Sequence, residues 1–311
     1  ALQSENTLSC TTMFGDDEDV DKQEVIEERL VQEAASLTTY EPMSSSEKDI
    51  LLGYRPETFM KFNEGTELAL ALFVERHCRN TNAMMVQRAI DVFCYSRHWM
   101  MHMGDLKLPI VRAAVATAKV NNTKHRPGKG LVVVELGSYC GYSAVALSQM
   151  LQLRSRGERD GTEDRLVTFE VNAKVGEISE RIFSAAGLHD KVEAHCVAAG
   201  QGPRYMKSMS DGTLEQGSVG MLFLDHEKKA YPVDLETWMA SGLLAKECVV
   251  VADNVAFFAE PDMAYLGFAR SVALTSEFHP SLIEYTCASN DVTDSGHDKG
   301  IRDAMEVTVL P

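Results

Sequence analysis

Two stretches of the chain carry oxygen-bearing side chains directly after apolar runs. The first reads LFLDHEKK and contains Asp225, and the second reads VVVADN and ends in Asp253 and Asn254. An apolar run that ends in aspartate is typical of a buried parallel strand, and ligands of open α/β sheets bind at the carboxyl ends of such strands. Two carboxylates and one amide oxygen suit a hard divalent cation such as Mg2+. The residues alone leave a second interpretation open, in which both aspartates cap the helices that follow.

A glycine turn in VVVELGSYCGYSAVAL, residues 132–147, forms a second group of chemically useful residues. The strand there ends in Glu135, and Gly137 and Gly141 allow a ligand to approach the backbone before a helix begins. The spacing differs from the G-x-G-x-x-G of dinucleotide sites, which favours another nucleoside over a nicotinamide cofactor. The next strand ends in Glu170, where an acid usually accepts hydrogen bonds from ribose hydroxyls.

The elements that position these residues alternate between strands and helices from about residue 65 onward. This alternation predicts an α/β protein with a Rossmann-like, doubly wound sheet of seven strands and helices on both faces. AMMVQRAIDVFCYS, for example, has the apolar spacing of an amphipathic helix. The predicted strands are KGLVVVELG, LVTFEV, KVEAHCV, GMLFLD, CVVVADN, LIEYTC and MEVTVL.

Length and composition restrict the class of protein. The 311 residues are 45% hydrophobic and 24% charged, enough for one core and an appendage. No apolar segment approaches the roughly 18 residues that a membrane span needs. Seven scattered cysteines without a CxxC pair predict buried thiols in an intracellular, reducing compartment. We expect the cytoplasm or, after removal of a transit peptide, an organelle matrix; loss of a methionine or of a targeting segment would each explain a start at Ala1.

The negative charge is concentrated near the amino terminus. The net charge is −16, and residues 1–60 hold 14 acidic and 4 basic side chains. The rest of the chain is therefore only mildly acidic, and it has no basic stripe that would follow phosphates. This distribution argues against nucleic-acid binding.

We predict an acidic N-terminal extension over residues 1–62 and one domain over residues 63–311. Ile26, Leu30, Ala34 and Leu37 have the spacing of one short amphipathic helix, and SSSEKD after it has the composition of a linker. Composition alone favours a solvated, largely disordered extension. The other interpretation is that the extension is held in place, either by the body of this chain or by a protein partner.

Three segments occur along the chain in the order ELGSYCGYS, FLDHEKKAY and ADNV. In composition and order they resemble the catechol O-methyltransferase family, which uses S-adenosylmethionine and has a seven-stranded sheet. RHWMMHMGDLK resembles the segment before its core, and IEY at 283–285 resembles its late substrate-binding strand. The likeness spans about residues 65–311. It implies a mostly parallel sheet with an antiparallel last strand.

The resemblance also implies a reaction at one cation. Asp225, Asp253 and Asn254 would bind Mg2+, and both hydroxyls of a catechol-like diol would bind the same ion, which lowers their pKa. Lys228 would accept the proton as general base, with the adjacent Lys229 as the competing candidate. The implied substrate-binding residues are Trp99, Lys228, Asn254 and Glu284.

For the cofactor, the resemblance implies that Glu170 binds the ribose of S-adenosylmethionine. Gly137, Tyr139 and Ser143 would line its methionine part, and Met103 and His226 would pack around it. The implied cofactor site comprises Met103, Glu135, Gly137, Tyr139, Ser143, Glu170, Asp225 and His226.

Two positions depart from the family pattern. Glu227 stands where the family usually has tryptophan, and Phe258 stands where it has proline. We therefore hypothesise an acceptor that is cationic or larger than a simple catechol.

The sequence leaves two functions open. The first is Mg2+-dependent methyl transfer from S-adenosylmethionine to a hydroxyl of a catechol-like small molecule, a diol or phenol. The second is a structural or accessory subunit with a methyltransferase fold, docked through its acidic extension and through insertions at 154–162 and 289–300.

Overall fold

The computed structural model describes residues 17–55, 65–78, 82–208, 215–257, 261–288, 290 and 300–311. Within these ranges the chain forms one seven-stranded sheet covered by helices. No helix in this part of the chain is long and apolar enough to cross a membrane.

The sheet has the strand order β3-β2-β1-β4-β5-β7-β6. Neighbouring strands are parallel except β7, which runs antiparallel to both β5 and β6. This arrangement confirms the predicted doubly wound, mostly parallel sheet with an antiparallel last strand. The strands are β1 (Val132–Leu136), β2 (Arg165–Phe169), β3 (Val192–His195), β4 (Val219–Leu224), β5 (Leu244–Ala252), β6 (Thr275–Leu282) and β7 (Arg302–Val309).

Ten α-helices accompany the sheet in the described residues. The helices are α1 (Asp17–Glu33), α2 (Ser45–Leu52), α3 (Thr66–His77), α4 (Ala83–Ser96), α5 (Leu108–His125), α6 (Tyr142–Ser148), α7 (Ala173–Ala185), α8 (Gly202–Ser208), α9 (Tyr231–Ala240) and α10 (Met263–Val272).

Both faces of the sheet are buried, which explains why its central strands are continuous apolar runs. Successive side chains of a strand point to opposite faces. Val133 accordingly lies in the larger core with α1 to α7, whereas Val134 lies in the second core with α8 to α10.

One strand prediction is wrong. LIEYTC, residues 282–287, does not form a strand, because β6 ends at Leu282, which pairs with Arg302. The chain then turns at Tyr285, whose φ of 56° is left-handed. The observed strand TSEFHPSL lies at the sheet edge, where mixed polarity and Pro280 are tolerated, so it lacks the apolar run that predicted the other strands.

The N-terminal segment packs against the domain through α1. Leu30, Val31 and Ala34 are buried in the larger core, where α1 packs on α4. The carboxylate of Glu27 is fully buried and accepts hydrogen bonds from Arg97 and from the hydroxyl of Ser96, both 2.6 Å away. The apolar face of α1 is therefore used inside this chain.

The predicted linker SSSEKD is instead the start of α2. Ser44 and Glu47 form a reciprocal capping box, a signal that the sequence contains. Lys48 is fully buried and pairs with Asp105 at 2.8 Å. The predicted boundary at residue 62 lies outside the described residues.

Candidate active site

The glycine turn and the first aspartate meet where the direction of strand order reverses, between β1 and β4. Gly137 has a φ of 93°, and a Cβ there would lie 2.4 Å from the carbonyl oxygen of Asp225. Only glycine allows this approach. The loop after β1 therefore lies directly on the end of β4, at the edge where α/β sheets bind ligands.

Glu170 follows β2 and is held by backbone donors. The N–H of Tyr139 lies 3.0 Å from one carboxylate oxygen, and the N–H of Asn172 lies 2.8 Å from the other. Tyr139 adopts a left-handed φ of 45°, and its hydroxyl donates to Glu67 on α3 at 3.0 Å. The structure thus brings Glu170 and the glycine turn together as predicted for a nucleoside cradle.

Glu135 and Ser143 are buried on either side of the glycine turn, in β1 and α6. Glu135 is fully buried, and the hydroxyl of Thr168 donates to its Oε2. Burial raises the pKa of Glu135 to about 7, although the hydroxyls of Ser143 and Thr168 act in the opposite direction. Ser143 is buried in the first turn of α6.

His226 follows Asp225 and is fixed by α9. One of its ring nitrogens, Nε2, lies 2.8 Å from Asp234, while Nδ1 is buried without a partner in the described part of the chain. Burial lowers the pKa of His226, against the opposing effect of Asp234. The ring is therefore held beside the glycine turn with one nitrogen unused.

Lys228 contacts the proposed metal ligand Asp225. Its ammonium lies 2.8 Å from the carboxylate of Asp225 and 2.9 Å from the hydroxyl of Tyr231. That hydroxyl donates to the carbonyl of Leu224 at 2.9 Å and so anchors the lysine to the end of β4. Lys229 is exposed. The geometry favours Lys228 of the two lysines.

Asp253 and Asn254 directly follow β5, the strand next to β4. The Oδ1 atom of Asp253 accepts hydrogen bonds from the ammonium of Lys107 at 2.6 Å and from the N–H of Asn254 at 2.7 Å. Its Oδ2 atom is buried and unpaired among the residues described. Burial raises the pKa of Asp253 to about 7, although Lys107 acts in the opposite direction.

Lys107 is the main residue that the sequence analysis missed. Its fully buried ammonium lies 2.6 Å from Asp253, 2.8 Å from Asp303 and 3.4 Å from Glu284. The resemblance covered its segment without giving it a role, and no motif marked Asp303. A lysine just before a helix carries no signal that three carboxylates from distant segments will surround it.

The predicted substrate-binding residues Trp99 and Glu284 contact each other. The indole N–H of Trp99 donates to the backbone carbonyl of Glu284 at 2.8 Å, and both side chains are buried. Gly104 is tightly packed here, since a Cβ at its φ of 73° would lie 2.6 Å from that of Glu284. Burial raises the pKa of Glu284 to about 8. Met103 is also buried, whereas Met101 is 45% exposed.

Two further buried carboxylates tie the surrounding segments together, and the sequence analysis missed both. Asp91 on α4 accepts hydrogen bonds from Tyr285 at 2.8 Å, from Tyr142 at 3.2 Å and from Tyr40. Asp105 binds Lys48 of α2, as described above. The N-terminal segment is therefore connected to the loop before Lys107 and to the residue after Glu284.

The donor atoms at the ends of β4 and β5 fit a hard cation. Asp225, Asp253 and Asn254 provide two carboxylates and an amide, and one oxygen of Asp253 is buried without a hydrogen-bond partner among the described residues. Each aspartate also forms an ion pair with a lysine, Asp253 with Lys107 and Asp225 with Lys228. No cluster of three or more histidine, cysteine, aspartate or glutamate side chains suited to a metal occurs in the described ranges.

Of the two positions that depart from the family pattern, the structure describes only Glu227. Glu227 is exposed, and its side chain accepts the N–H of Lys229 at 3.4 Å, so it caps the short turn that carries Lys228. Phe258 lies outside the described residues.

Comparison with known proteins agrees with this architecture. A family model described as a methyltransferase domain matches residues 134–255. The chain is 34% identical over 215 residues to catechol O-methyltransferase of Mus musculus. The aligned region covers 68% of this chain and 71% of the mouse protein. It is 33% identical over 224 residues to catechol O-methyltransferase B of Danio rerio, with 71% and 75% covered. The chain belongs to the catechol O-methyltransferase family of class I, S-adenosylmethionine-dependent O-methyltransferases.

A more distant likeness links the chain to a solved O-methyltransferase of Streptomyces achromogenes. The TM-score is 0.49 at 18% identity, with 86% of this chain and 99% of the other covered.

Proposed function

We propose that this O-methyltransferase methylates one hydroxyl of a catechol-like small molecule and depends on Mg2+. The observation that supports this most strongly is the meeting of Asp225, Lys228, Asp253 and Asn254 at two adjacent strand ends, directly beside the loop of Gly137. In this arrangement a cation and the nucleoside cofactor would bind side by side at the same edge of the sheet.

The cofactor would occupy the crevice between Gly137 and Glu170. S-adenosylmethionine supplies an electrophilic methyl group on a sulfonium centre. Glu170 would accept hydrogen bonds from its ribose, because both oxygens are already oriented by backbone N–H groups. The loop that contains Gly137 would line the methionine part, with Tyr139, Ser143, Met103 and His226 around it.

Asp225, Asp253 and Asn254 would hold Mg2+. The ion supplies a positive charge that favours ionisation of a hydroxyl beside it. Asp253 fits this role because one of its oxygens is buried and has no hydrogen-bond partner in the described part of the chain. The amide of Asn254 would contact both the ion and the acceptor.

Lys228 would accept the proton of the reacting hydroxyl at Nζ. It lies at the mouth of the site, is about one-third exposed and is anchored by Tyr231. Glu284 would bind the second hydroxyl, and the contact with Trp99 fixes its backbone. Catalysis would then consist of positioning and charge placement.

The accessory-subunit interpretation has less support. It relied on an N-terminal extension free to dock, yet the apolar face of α1 packs on α4 and Glu27 is buried with Arg97. In the insertion at 154–162, Arg159 is bound to Glu193 at the edge strand β3.

The proposal is tested by calorimetric titration of the purified chain with S-adenosylmethionine, with and without Mg2+. We then expect release of S-adenosylhomocysteine with one or more members of a panel of vicinal diols. Absence of cofactor binding would eliminate the enzymatic function. Binding without turnover on any diol would eliminate the acceptor class.

A further inference from the structure

We propose that Asp303 is a positioning residue of the cation site, which orients the side-chain amide of Asn254 so that its oxygen is available to the cation. This inference rests on the proposed Mg2+ dependence. It adds a residue that lies on the one antiparallel strand of the sheet and that no motif in the sequence marks.

The topology explains how a residue at the start of β7 reaches the site. Because β7 runs antiparallel to β5, its amino end lies at the carboxyl end of β5. Ala252 pairs with Glu306, and Val255 donates its N–H to the carbonyl of Ala304. Asp303 therefore lies next to the turn that carries Asp253 and Asn254.

The hydrogen bond between Asp303 and Asn254 fixes the amide. The Nδ2 atom of Asn254 donates to Oδ2 of Asp303 at 2.7 Å. An amide has one donor end and one acceptor end, so a carboxylate that binds the NH2 group leaves the oxygen on the other side. The backbone N–H of Asn254 is bound by Asp253 at 2.7 Å, and its φ of 52° is left-handed.

Asp303 also shares the ammonium of Lys107 with Asp253. Its Oδ2 lies 2.8 Å from Nζ of Lys107, and all three side chains are almost fully buried. One ammonium thus bridges a proposed cation ligand and the residue that orients another. The bridge restrains Asp303 while it holds the amide.

Two buried carboxylate oxygens next to Asn254 could bind a cation. Oδ1 of Asp303 and Oδ2 of Asp253 are both buried without a hydrogen-bond partner among the residues described. A buried carboxylate oxygen without a donor is costly. A cation or its bound water would satisfy these atoms. Residues that orient metal ligands typically contribute 10- to 100-fold to metal affinity, by an order-of-magnitude estimate.

The test compares Asp303→Leu, which has the same branching but removes both acceptors, with Asp303→Asn, which keeps the size of the side chain and one acceptor oxygen. Glu306→Gln is the matched control, since Glu306 is buried on the same strand but binds Arg270 and Ser276 instead. The affinity for Mg2+ is measured by calorimetry, the environment of bound Mn2+ by electron paramagnetic resonance, and cofactor affinity separately.

We expect Asp303→Leu to weaken Mg2+ binding by about 10- to 100-fold and to change the Mn2+ spectrum, with unchanged cofactor affinity. Asp303→Asn should lose less Mg2+ affinity, and this variant decides the test if Asp303→Leu does not fold. Wild-type Mg2+ affinity in the Asp303 variants, or an equal loss in Glu306→Gln, overturns the role of Asp303 and leaves the proposed function standing. Absence of Mg2+ binding in the wild type overturns both.

Discussion

The buried ammonium of Lys107 lies 2.6 Å from the carboxylate of Asp253, so a proposed cation ligand has a positive partner inside the protein. Replacement by methionine would leave Asp253 and Asp303 buried without that charge. Removal of one partner of a buried ion pair typically costs about 3–5 kcal/mol.

We therefore expect Lys107→Met to lower the free energy of unfolding by about 3–5 kcal/mol in urea denaturation at pH 8. Lys124→Met is the control, because Lys124 pairs with Glu247 at 2.6 Å on the surface and its side chain is 58% exposed. Exposed pairs contribute little, so no measurable loss is expected there. Equal changes in the free energy of unfolding for the two variants would contradict a larger contribution from the buried pair than from the exposed one.

Lys228→Met should lower kcat by about 100- to 10,000-fold, the usual contribution of a general base. The adjacent exposed Lys229→Met should leave kcat unchanged, because the anchoring bonds to Asp225 and Tyr231 belong to Lys228. Steady-state kinetics with saturating cofactor provide the measurement. If the Lys229 variant loses the activity instead, the assignment of the base is reversed.

Gly137→Ala should weaken cofactor binding, since the new Cβ would lie 2.4 Å from the carbonyl oxygen of Asp225 and displace the loop that lines the cofactor. Overpacking of about 1–3 kcal/mol corresponds to a loss of about 5- to 150-fold in affinity. Gly176→Ala on α7 is the control, because no atom of the described residues lies within 4 Å of its Cβ position. Unchanged affinity in Gly137→Ala would place the cofactor elsewhere.

Glu135 should make stability depend on pH. Burial raises its pKa to about 7, above the ordinary value, so the neutral carboxyl stabilises the fold at low pH and that stability is lost as pH rises through 7. Glu135→Gln removes this dependence. The unfolding free energy of the variant, relative to wild type, should therefore increase between pH 5 and pH 8. A constant difference across this range would contradict the assignment.

Glu227→Trp tests the hypothesis on the acceptor. If the carboxylate selects cationic or larger acceptors, the variant should shift the ratio of kcat/KM toward neutral, flat diols by about tenfold. Glu236→Trp, at an exposed position on α9, is the control. An unchanged ratio in the Glu227 variant means that this residue serves only as the cap of its turn.

The parts of the fold that the sequence predicts well are those with a local signal. The strands β1, β4 and β5 are apolar runs because both faces are buried, and Asp225 and Asp253 follow from the way such strands end. The edge strand β6 has no such run and was not predicted. The segment that begins at Ser44 was predicted to be a linker, although Ser44 begins a capping box at the start of α2.

Lys107 and Asp303 show what the sequence cannot provide. Each is an ordinary charged residue at the edge of an element, and its role arises only where α5, β5, β7 and the turn after β6 converge. The supporting residues of the site therefore depend on tertiary contacts, whereas its proposed ligands depend on strand ends.

The most direct test of the central claim is methyl transfer to a vicinal diol as a function of Mg2+ concentration. We predict that the rate saturates with Mg2+, is lost in a chelator and returns when Mg2+ is restored. In Asp253→Asn, half-maximal activity should require at least about tenfold more Mg2+, an order-of-magnitude expectation for a lost ligand. Full activity in the chelator, or an unchanged Mg2+ dependence in Asp253→Asn, would contradict the account.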